Sequence, residues 1–161
     1  MLSPGKLKKA FEKVEDDNWK FRTFLKRKEP EDLDEFVNKL HRTLFREMDC
    51  RVCRNCCKTI VPVLTHEDIE RISNALGLTI EEFRNEHLKE SEGEWIVNSK
   101  PCQFLTPDGC SIYESRPKAC REYPYTDKKE IIFSLLNLYG NCEICPVVFE
   151  IFERLKKKYR R

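Results

Sequence analysis

The sequence lacks a long hydrophobic run, and this absence argues against a membrane-spanning protein. No stretch approaches the ~18 consecutive apolar residues of a transmembrane helix. The apolar core of a secretory signal peptide is also missing at the N-terminus, which reads MLSPGKLKKAFEKVEDDNWK. We therefore expect a cytoplasmic protein that does not enter a membrane.

The sequence also lacks an excess of charge of either sign. The 30 Lys and Arg residues stand against 28 Asp and Glu residues, so the net charge is +2. This balance is not typical of a chain whose main partner is a nucleic acid. The basic stretch RLKKKYRR (154–161) is better explained by cations that complement a helix C-terminus than by an RNA or lipid site. The sequence identifies no partner, and we expect neither nucleic acid nor membrane, which leaves a protein or redox partner.

The motifs of several common enzyme classes are absent. The sequence has no HExxH, no phosphate-binding loop, no GxSxG and no C-x3-C-x2-C of the radical-SAM type. Its histidines, His41, His66 and His87, are expected on helix surfaces or caps and not at a metal. Cysteine is therefore the residue type that indicates a function.

Nine cysteines stand out in a chain of this length, and they are Cys50, Cys53, Cys56, Cys57, Cys102, Cys110, Cys120, Cys142 and Cys145. Thiols stay reduced in the cytoplasm, and an odd count prevents complete pairing, so metal ligands are favoured over disulfides. Two alternatives stay open. Some pairs form disulfides, or some cysteines are buried structural thiols, a hypothesis that applies most strongly to Cys142.

The first three cysteines have the spacing of a cluster-binding run. Cys50, Cys53 and Cys56 are separated like the first three ligands of a bacterial [4Fe–4S] motif. Position 60 is isoleucine, so the fourth ligand must come from elsewhere, and Cys145 precedes a proline as such remote ligands do. Zinc also uses C-x2-C steps, and Cys142 with Cys145 forms one. The spacing leaves both an iron–sulfur cluster and zinc open.

The adjacent pair Cys56 and Cys57 raises a separate question. Neighbouring side chains of an extended chain leave opposite faces, which predicts that the two thiols serve different sites. Cys57 together with Cys102, Cys110 and Cys120 supplies four ligands, enough for a second site.

Two arginines, Arg116 and Arg121, lie close to Cys120 in the sequence. They are expected to pack and hydrogen-bond around anionic thiolates, and the alternative is a small anion or substrate pocket.

The periodicity predicts a small, mainly helical α+β domain organised around a polycysteine metal centre. Residues 1–49 are expected to form an N-terminal helical arm that packs on a metal-binding body, residues 50–161, with a last helix starting at Pro146. Thr65 with Asp68, and Thr79 with Glu82, predict two capped helices, the second of which continues to about Glu90. TIVPVL (59–64) and EWIVN (94–98) predict short strands, and Pro62 places the first at a sheet edge.

These motifs together carry a family resemblance. CRVCRNCC (50–57), PCQFL (101–105), GCSIYESRP (109–117) and ACREYP (119–124) in this order resemble the CxxCxxCC cysteine-cluster family, also called YkgJ-like and described as a zinc- or iron-chelating domain. The resemblance covers roughly residues 50–146. It implies eight ligands, which are Cys50, Cys53, Cys56, Cys57, Cys102, Cys110, Cys120 and Cys145, with Cys142 as the weaker alternative to Cys145.

The resemblance also frames two functional hypotheses. The family is grouped with a flagellin lysine methylase, which implies an iron–sulfur-dependent oxidoreductase or methyltransferase-like enzyme, with a [4Fe–4S] cluster as cofactor. The other hypothesis is a zinc-stabilised, non-enzymatic binding or adaptor module. The sequence identifies no catalytic residue beyond the metal ligands.

Overall fold

The computed structural model describes residues 1–160, and short helices dominate it. In chain order the elements are α1 Pro4–Glu12, α2 Glu15–Lys28, α3 Leu33–Leu44, α4 Cys50–Cys53, α5 Asn55–Thr59, β1 Val63–Leu64, α6 His66–Leu76, α7 Ile80–His87, β2 Leu88–Ser91, β3 Glu94–Val97, β4 Leu105–Thr106, β5 Gly109–Cys110, α8 Lys118–Glu122, a 3₁₀ turn Ile131–Phe133, α9 Leu135–Asn141 and α10 Pro146–Tyr159. With 57% helix and two small sheets, the predicted mainly helical α+β class is confirmed.

The chain divides into two compact units. The first combines residues 1–53 with residues from 124 onward, and the second consists of residues 54–123. The first unit is therefore built from two segments that are distant in sequence. The division falls between Cys53 and Arg54, inside the cysteine run. The predicted boundary at residue 49, between an arm and a body, stays a prediction.

Helix α10 lies at the centre of the first unit. It packs on α1, α2, α3 and α9. Its buried residues include Val147, Val148, Ile151, Phe152, Leu155 and Tyr159. The Phe152 ring meets that of Phe21 edge to face, with centroids 5.5 Å apart. Each such side chain stabilises the fold by about 1.5–3 kcal/mol through burial, so α10 joins the N-terminal helices into one core.

Several residues of the basic C-terminal stretch form ion pairs within this unit. Lys156 Nζ lies 3.0 Å from the Asp17 carboxylate of α2, and Arg160 Nη1 lies 2.5 Å from the same group. Lys158 pairs with Asp32. Arg161, the last residue of that stretch, lies outside the described residues.

The second unit packs two helices near a three-stranded antiparallel sheet of order β1-β3-β2. Its core contains Leu64, Ile69, Ile72, Phe83, Leu88, Val97, Phe104 and Ile112, and Cys102 and Cys110 pack against it. Strands β4 and β5 form a separate hairpin around the turn Pro107-Asp108. The metal-ligand candidates of this unit thus border a hydrophobic core.

The capped helices form where the sequence predicts them. The Thr65 side chain accepts a hydrogen bond from the Asp68 N–H, and the Asp68 carboxylate accepts one from the Thr65 N–H. Helix α6 ends at Gly77, which has a φ of 70°. Thr79 and Glu82 form the same reciprocal pair at α7. The prediction was wrong after His87, where the helix was expected to continue to about Glu90 and the chain instead enters β2.

Candidate metal centre

The cysteine run consists of two very short helices with a break between them. Helix α4 begins at Cys50 and ends at Cys53, and the i, i+3 spacing places both thiols on one side. Arg54 then adopts a left-handed conformation with a φ of 52°, which ends α4 and starts α5 in a new direction. The Arg54 guanidinium donates to the carbonyls of Thr106 (3.2 Å) and Pro107 (2.5 Å). It therefore fixes the start of α5 to the β4–β5 hairpin.

Four thiols of the second unit interact electrostatically, and we call Cys57, Cys102, Cys110 and Cys120 the second cluster. Negative charge on Cys57 contributes to raising the pKa values of the other three. The Cys102 N–H donates to the Cys57 carbonyl at 2.9 Å. A loop, strand β5 and helix α8 therefore each contribute a thiol that feels the charge of Cys57.

Backbone N–H groups point at two sulfurs of the second cluster. Burial raises the pKa of Cys102, whereas the N–H groups of Phe104 and Leu105 act in the opposite direction. Burial likewise raises the pKa of Cys110, against the N–H of Ile112. Donors two or three residues after a cysteine stabilise the negative sulfur of a metal-bound thiolate.

Cys57 itself is poised to be negative. A hydrogen bond from the Cys56 thiol lowers the pKa of Cys57 to about 6, with help from its own backbone N–H and from the charges of Arg54 and Lys58. Cys120 shows the opposite behaviour: loss of water around its sulfur raises its pKa, and the neighbouring thiolates add to the effect, although part of the residue is exposed. A cation among these thiols would remove this repulsion.

The expectation of an extended chain at the doublet was wrong. Cys56 and Cys57 both lie on α5, and their thiols are hydrogen-bonded to each other. Adjacent residues of a helix are about 100° apart around its axis, so their sulfurs can meet. That the two thiols serve different sites stays a prediction.

Three thiols of the first unit also interact electrostatically, and we call Cys50, Cys53 and Cys145 the first cluster. Burial raises the pKa of Cys145 to about 12, and charge on Cys50 and Cys53 adds to it. The N–H groups of Val147 and Val148 at the start of α10 act in the opposite direction. The Cys145 sulfur thus lies at the positive end of a helix, a position that favours the thiolate form.

Cys142 is placed differently from Cys145. Its side chain is completely buried, and its thiol donates to the Leu138 carbonyl at 3.3 Å. Burial raises its pKa well above the ordinary value. This arrangement stabilises a neutral thiol that donates, whereas Cys145 receives donors. That Cys145 and not Cys142 is the ligand stays a prediction.

A buried ion pair holds the segment that carries Cys120. Asp68, whose side chain is 1% exposed, accepts from Arg71 Nη2 at 2.5 Å and from the Lys118 N–H at 2.9 Å. Arg71 donates in turn to the carbonyls of Ser115 (3.3 Å) and Arg116 (3.0 Å). Helix α6 thus positions α8. The sequence showed Asp68 as a helix cap, but the second use could not be foreseen because Lys118 is 50 residues away.

Both arginines beside Cys120 are engaged by the backbone. Arg116 donates to the Tyr113 carbonyl at 2.6 Å and stacks 3.8 Å from the Tyr113 ring centroid. Arg121 donates to the Arg116 carbonyl at 3.0 Å. These contacts favour the packing role over an anion pocket.

The thiols of each cluster interact electrostatically, but they are not arranged in the coordination geometry of a bound metal. Among residues 1–160, no three His, Cys, Asp or Glu side chains meet closely enough to hold a metal ion. The donor set still fits a metal: zinc and iron–sulfur clusters take thiolate ligands, and both cysteine clusters combine several thiols with N–H donors. Within the same range, no helix is long and apolar enough to cross a membrane.

Comparison with known proteins agrees with this donor set. The CxxCxxCC family model, described as "Putative zinc- or iron-chelating domain", matches residues 49–145, more than half of the chain. The match includes all nine cysteines and ends at Cys145. No solved structure matches this chain. On the strength of the family match, the chain belongs to the CxxCxxCC family of zinc- or iron-chelating domains.

Proposed function

We propose that the chain binds metal at both cysteine clusters and that iron–sulfur clusters are the resident cofactors. One observation carries the proposal: the charge of Cys57 is felt by three further thiols, which lie in a loop, a strand and a helix. Such an arrangement costs free energy unless a cation is present, because several thiolates cannot share a small volume otherwise.

The ligands fall into two groups according to the units. Cys50, Cys53 and Cys145 belong to the first cluster. Cys57, Cys102, Cys110 and Cys120 form the second, with Cys56 as a further donor beside Cys57. The eight cysteines of the family pattern are thereby all used, and Cys142 is not.

Iron is favoured by two features of the first cluster. The C-x2-C step places Cys50 and Cys53 on one side of a single helical turn, and Cys145 is followed by a proline. An iron–sulfur cluster supplies one-electron redox chemistry, which a redox enzyme requires.

Zinc is the second candidate, and the second cluster favours it. Four thiols with N–H donors at Cys102 and Cys110 fit a tetrahedral structural site. A chain with zinc in this site would act as a binding or adaptor module whose metal stabilises the fold.

Metal analysis of protein purified without oxygen distinguishes the two candidates. Iron with inorganic sulfide and a broad visible absorption supports the iron–sulfur proposal, whereas colourless protein with zinc supports the second candidate. Cys53→Ser and Cys110→Ser are expected to lose metal from the first and the second cluster, respectively. Cys142→Ser is the matched control and is expected to retain its metal. Protein that contains no metal after purification and reconstitution would contradict the proposal.

Thiolate centres of this kind are compatible with the reducing cytoplasm. The cytoplasmic location expected from the sequence stays a prediction.

A further inference from the structure

A stripe of exposed side chains crosses the first unit where α2 runs beside α9. Phe133 is 75% exposed, Leu136 is 56% exposed and Trp19 is 46% exposed. Large apolar side chains grouped in this way on a surface mark an interaction site more often than scattered ones do.

Two ring contacts place the two halves of this stripe side by side. The Trp19 ring lies 5.3 Å from that of Tyr139, and Lys26 Nζ lies 4.6 Å from the Phe133 ring centroid. Trp19, early in α2, contacts Tyr139, whereas Lys26, late in α2, contacts the earlier residue Phe133. Helix α2 and the segment 133–139 therefore run antiparallel. Leu136 lies between the two contacts.

Charges are distributed unevenly along the stripe. Glu15, Trp19, Arg22 and Lys26 follow one another at steps of four, three and four residues, which puts them on one face of α2. Glu15 stands at the N-terminal end and Lys26 at the C-terminal end, ~16 Å apart at 1.5 Å per residue. Arg22 stacks on Trp19, with its guanidinium carbon 4.3 Å from the ring centroid.

Each of these charged side chains makes a contact with an aromatic residue of the first unit: the Glu15 carboxylate accepts a hydrogen bond from the Tyr139 hydroxyl, and Arg22 and Lys26 lie over aromatic rings. Among residues 1–160, Glu15, Arg22 and Lys26 take part in no ion pair. This distinguishes them from Asp17 on the same helix, which pairs with Lys156 and Arg160. The stripe has an acidic end, an apolar centre and a basic end. A second copy of the stripe, turned to run in the opposite direction, would place its basic end against this acidic end.

We propose that the stripe formed by Glu15, Trp19, Arg22, Lys26, Phe133 and Leu136 is a two-fold interface with a second copy of this chain. A two-fold axis midway between Trp19 and Arg22 sets Trp19 of one copy against Arg22 of the other. The same axis sets Glu15 against Lys26, because both pairs are centred on the same point of α2. Isologous pairing of this kind requires such self-complementarity.

The size of the stripe sets the strength of the dimer. Two neighbouring helices ~10 Å apart and ~16 Å long offer only a few hundred Å² per copy, below the ~800 Å² of a standard interface. The dimer is therefore weak and forms as the protein concentration rises.

Sedimentation velocity of the metal-loaded protein over a wide range of concentrations tests the proposal. Lys26→Glu and Glu15→Lys each place like charges opposite one another at two symmetry-related positions, and each weakens the dimer about tenfold or more. The double variant Glu15→Lys/Lys26→Glu exchanges the charges and restores dimerisation. Lys20→Glu carries the same charge change on the opposite side of α2 and has no effect.

A second pair of variants tests the apolar centre. Leu136→Glu introduces a charge close to the axis and abolishes the dimer, whereas Leu76→Glu, at an exposed leucine of α6, leaves it intact. Thermal unfolding of each variant checks that the fold is retained. A wild-type chain that stays monomeric at every concentration overturns the proposal. So does a double variant as impaired as the single ones, and so does a stripe that instead binds anionic vesicles as a monomer.

Discussion

Cys142 and Cys145 show that two thiols three residues apart can have different chemistry. Cys142 donates to a helix carbonyl, and Cys145 accepts from two backbone N–H groups at the start of α10. Both are buried, so burial does not distinguish a ligand from a structural thiol. The direction of their hydrogen bonds does.

Serine substitutions are expected to separate these two roles. Cys145→Ser should remove metal from the first cluster because a hydroxyl is a poor replacement for a thiolate. Cys142→Ser should keep its metal, since the hydroxyl can also donate to the Leu138 carbonyl, at a small cost in stability. Metal content per chain and the visible spectrum measure the difference. The opposite pattern would assign the ligand to Cys142.

Asp68 is expected to act on Cys120 without touching the metal. Asp68→Ala leaves Arg71 without its buried partner and the Lys118 N–H without an acceptor, which costs about 3 kcal/mol. Second-cluster metal should also be bound more weakly, because α8 is no longer held. Denaturant unfolding and metal competition measure the two effects. Thr79→Ala is the control: it removes a comparable helix cap, costs about 1 kcal/mol and should leave metal affinity unchanged. Equal effects of the two variants on metal affinity would show that Asp68 does not position Cys120.

The same carboxylate predicts a pH dependence. Burial works to raise the pKa of Asp68, but hydrogen bonds from Arg71 and from the N–H groups of Thr65 and Lys118 outweigh it, and the pKa is lowered. The stabilisation is therefore complete above the unfolded pKa of about 3.9 and is lost as the pH falls through the lower folded value. The stability difference between wild type and Asp68→Asn should shrink over that acid range. A difference that stays constant there would contradict the assignment.

The position of Cys110 in the β4–β5 hairpin depends on the backbone conformation of the preceding residue, Gly109. Gly109 has a φ of 131°, a region that side chains rarely adopt, and its carbonyl accepts from the Thr106 hydroxyl at 2.9 Å. Cys110 follows directly, opposite Leu105 in the register. A distorted turn would therefore move a thiol of the second cluster.

Two glycine-to-alanine variants test this hairpin. Gly109→Ala should cost about 1–3 kcal/mol through backbone strain and should weaken second-cluster metal binding. Gly140→Ala in helix α9 meets no atom within 4 Å and should stabilise the chain by about 0.5–1 kcal/mol, with metal binding unchanged. Thermal unfolding and metal titration report both results. Normal metal binding by Gly109→Ala would show that the turn does not position Cys110.

Local signals explain which elements could be predicted. The caps at Thr65 and Thr79, the edge strand after Pro62 and the helix at Pro146 depend on residues within one turn of each other, and all were foreseen. Strand β2 was missed because its extended conformation depends on pairing with β3. A turn at Glu92-Gly93, where both residues have positive φ, connects the two strands. Pairing of this kind is not visible in the periodicity of β2 itself.

The division into two units predicts how the chain responds to loss of metal. Each unit has its own apolar core, so chelation should not unfold the whole chain. Order should be lost chiefly at the cysteine run and in residues 98–123, which have little regular structure. Far-UV circular dichroism should change slightly, while hydrogen exchange becomes fast in these segments. Cooperative loss of all helices on chelation would contradict this expectation.

The cysteines of the candidate site could be named from the sequence, but their grouping could not. Spacing indicates that Cys50 and Cys53 act together. It does not show that Cys145 joins them, because this depends on α10 packing against helices more than 100 positions earlier. The N–H donors of Val147 and Phe104 are equally invisible, since any residue type supplies a backbone amide.

The insertion of the second unit into the first has a consequence for biosynthesis. A ribosome completes residues 54–123, with all thiols of the second cluster, before it adds Cys145. If both clusters bind metal as proposed, the second can acquire its metal on a nascent chain, whereas the first can be completed only after Cys145 is added. During that interval two thiols stay exposed to oxidants or to a competing metal. Translation speed between Tyr123 and Cys145 thus determines how long the first cluster is vulnerable.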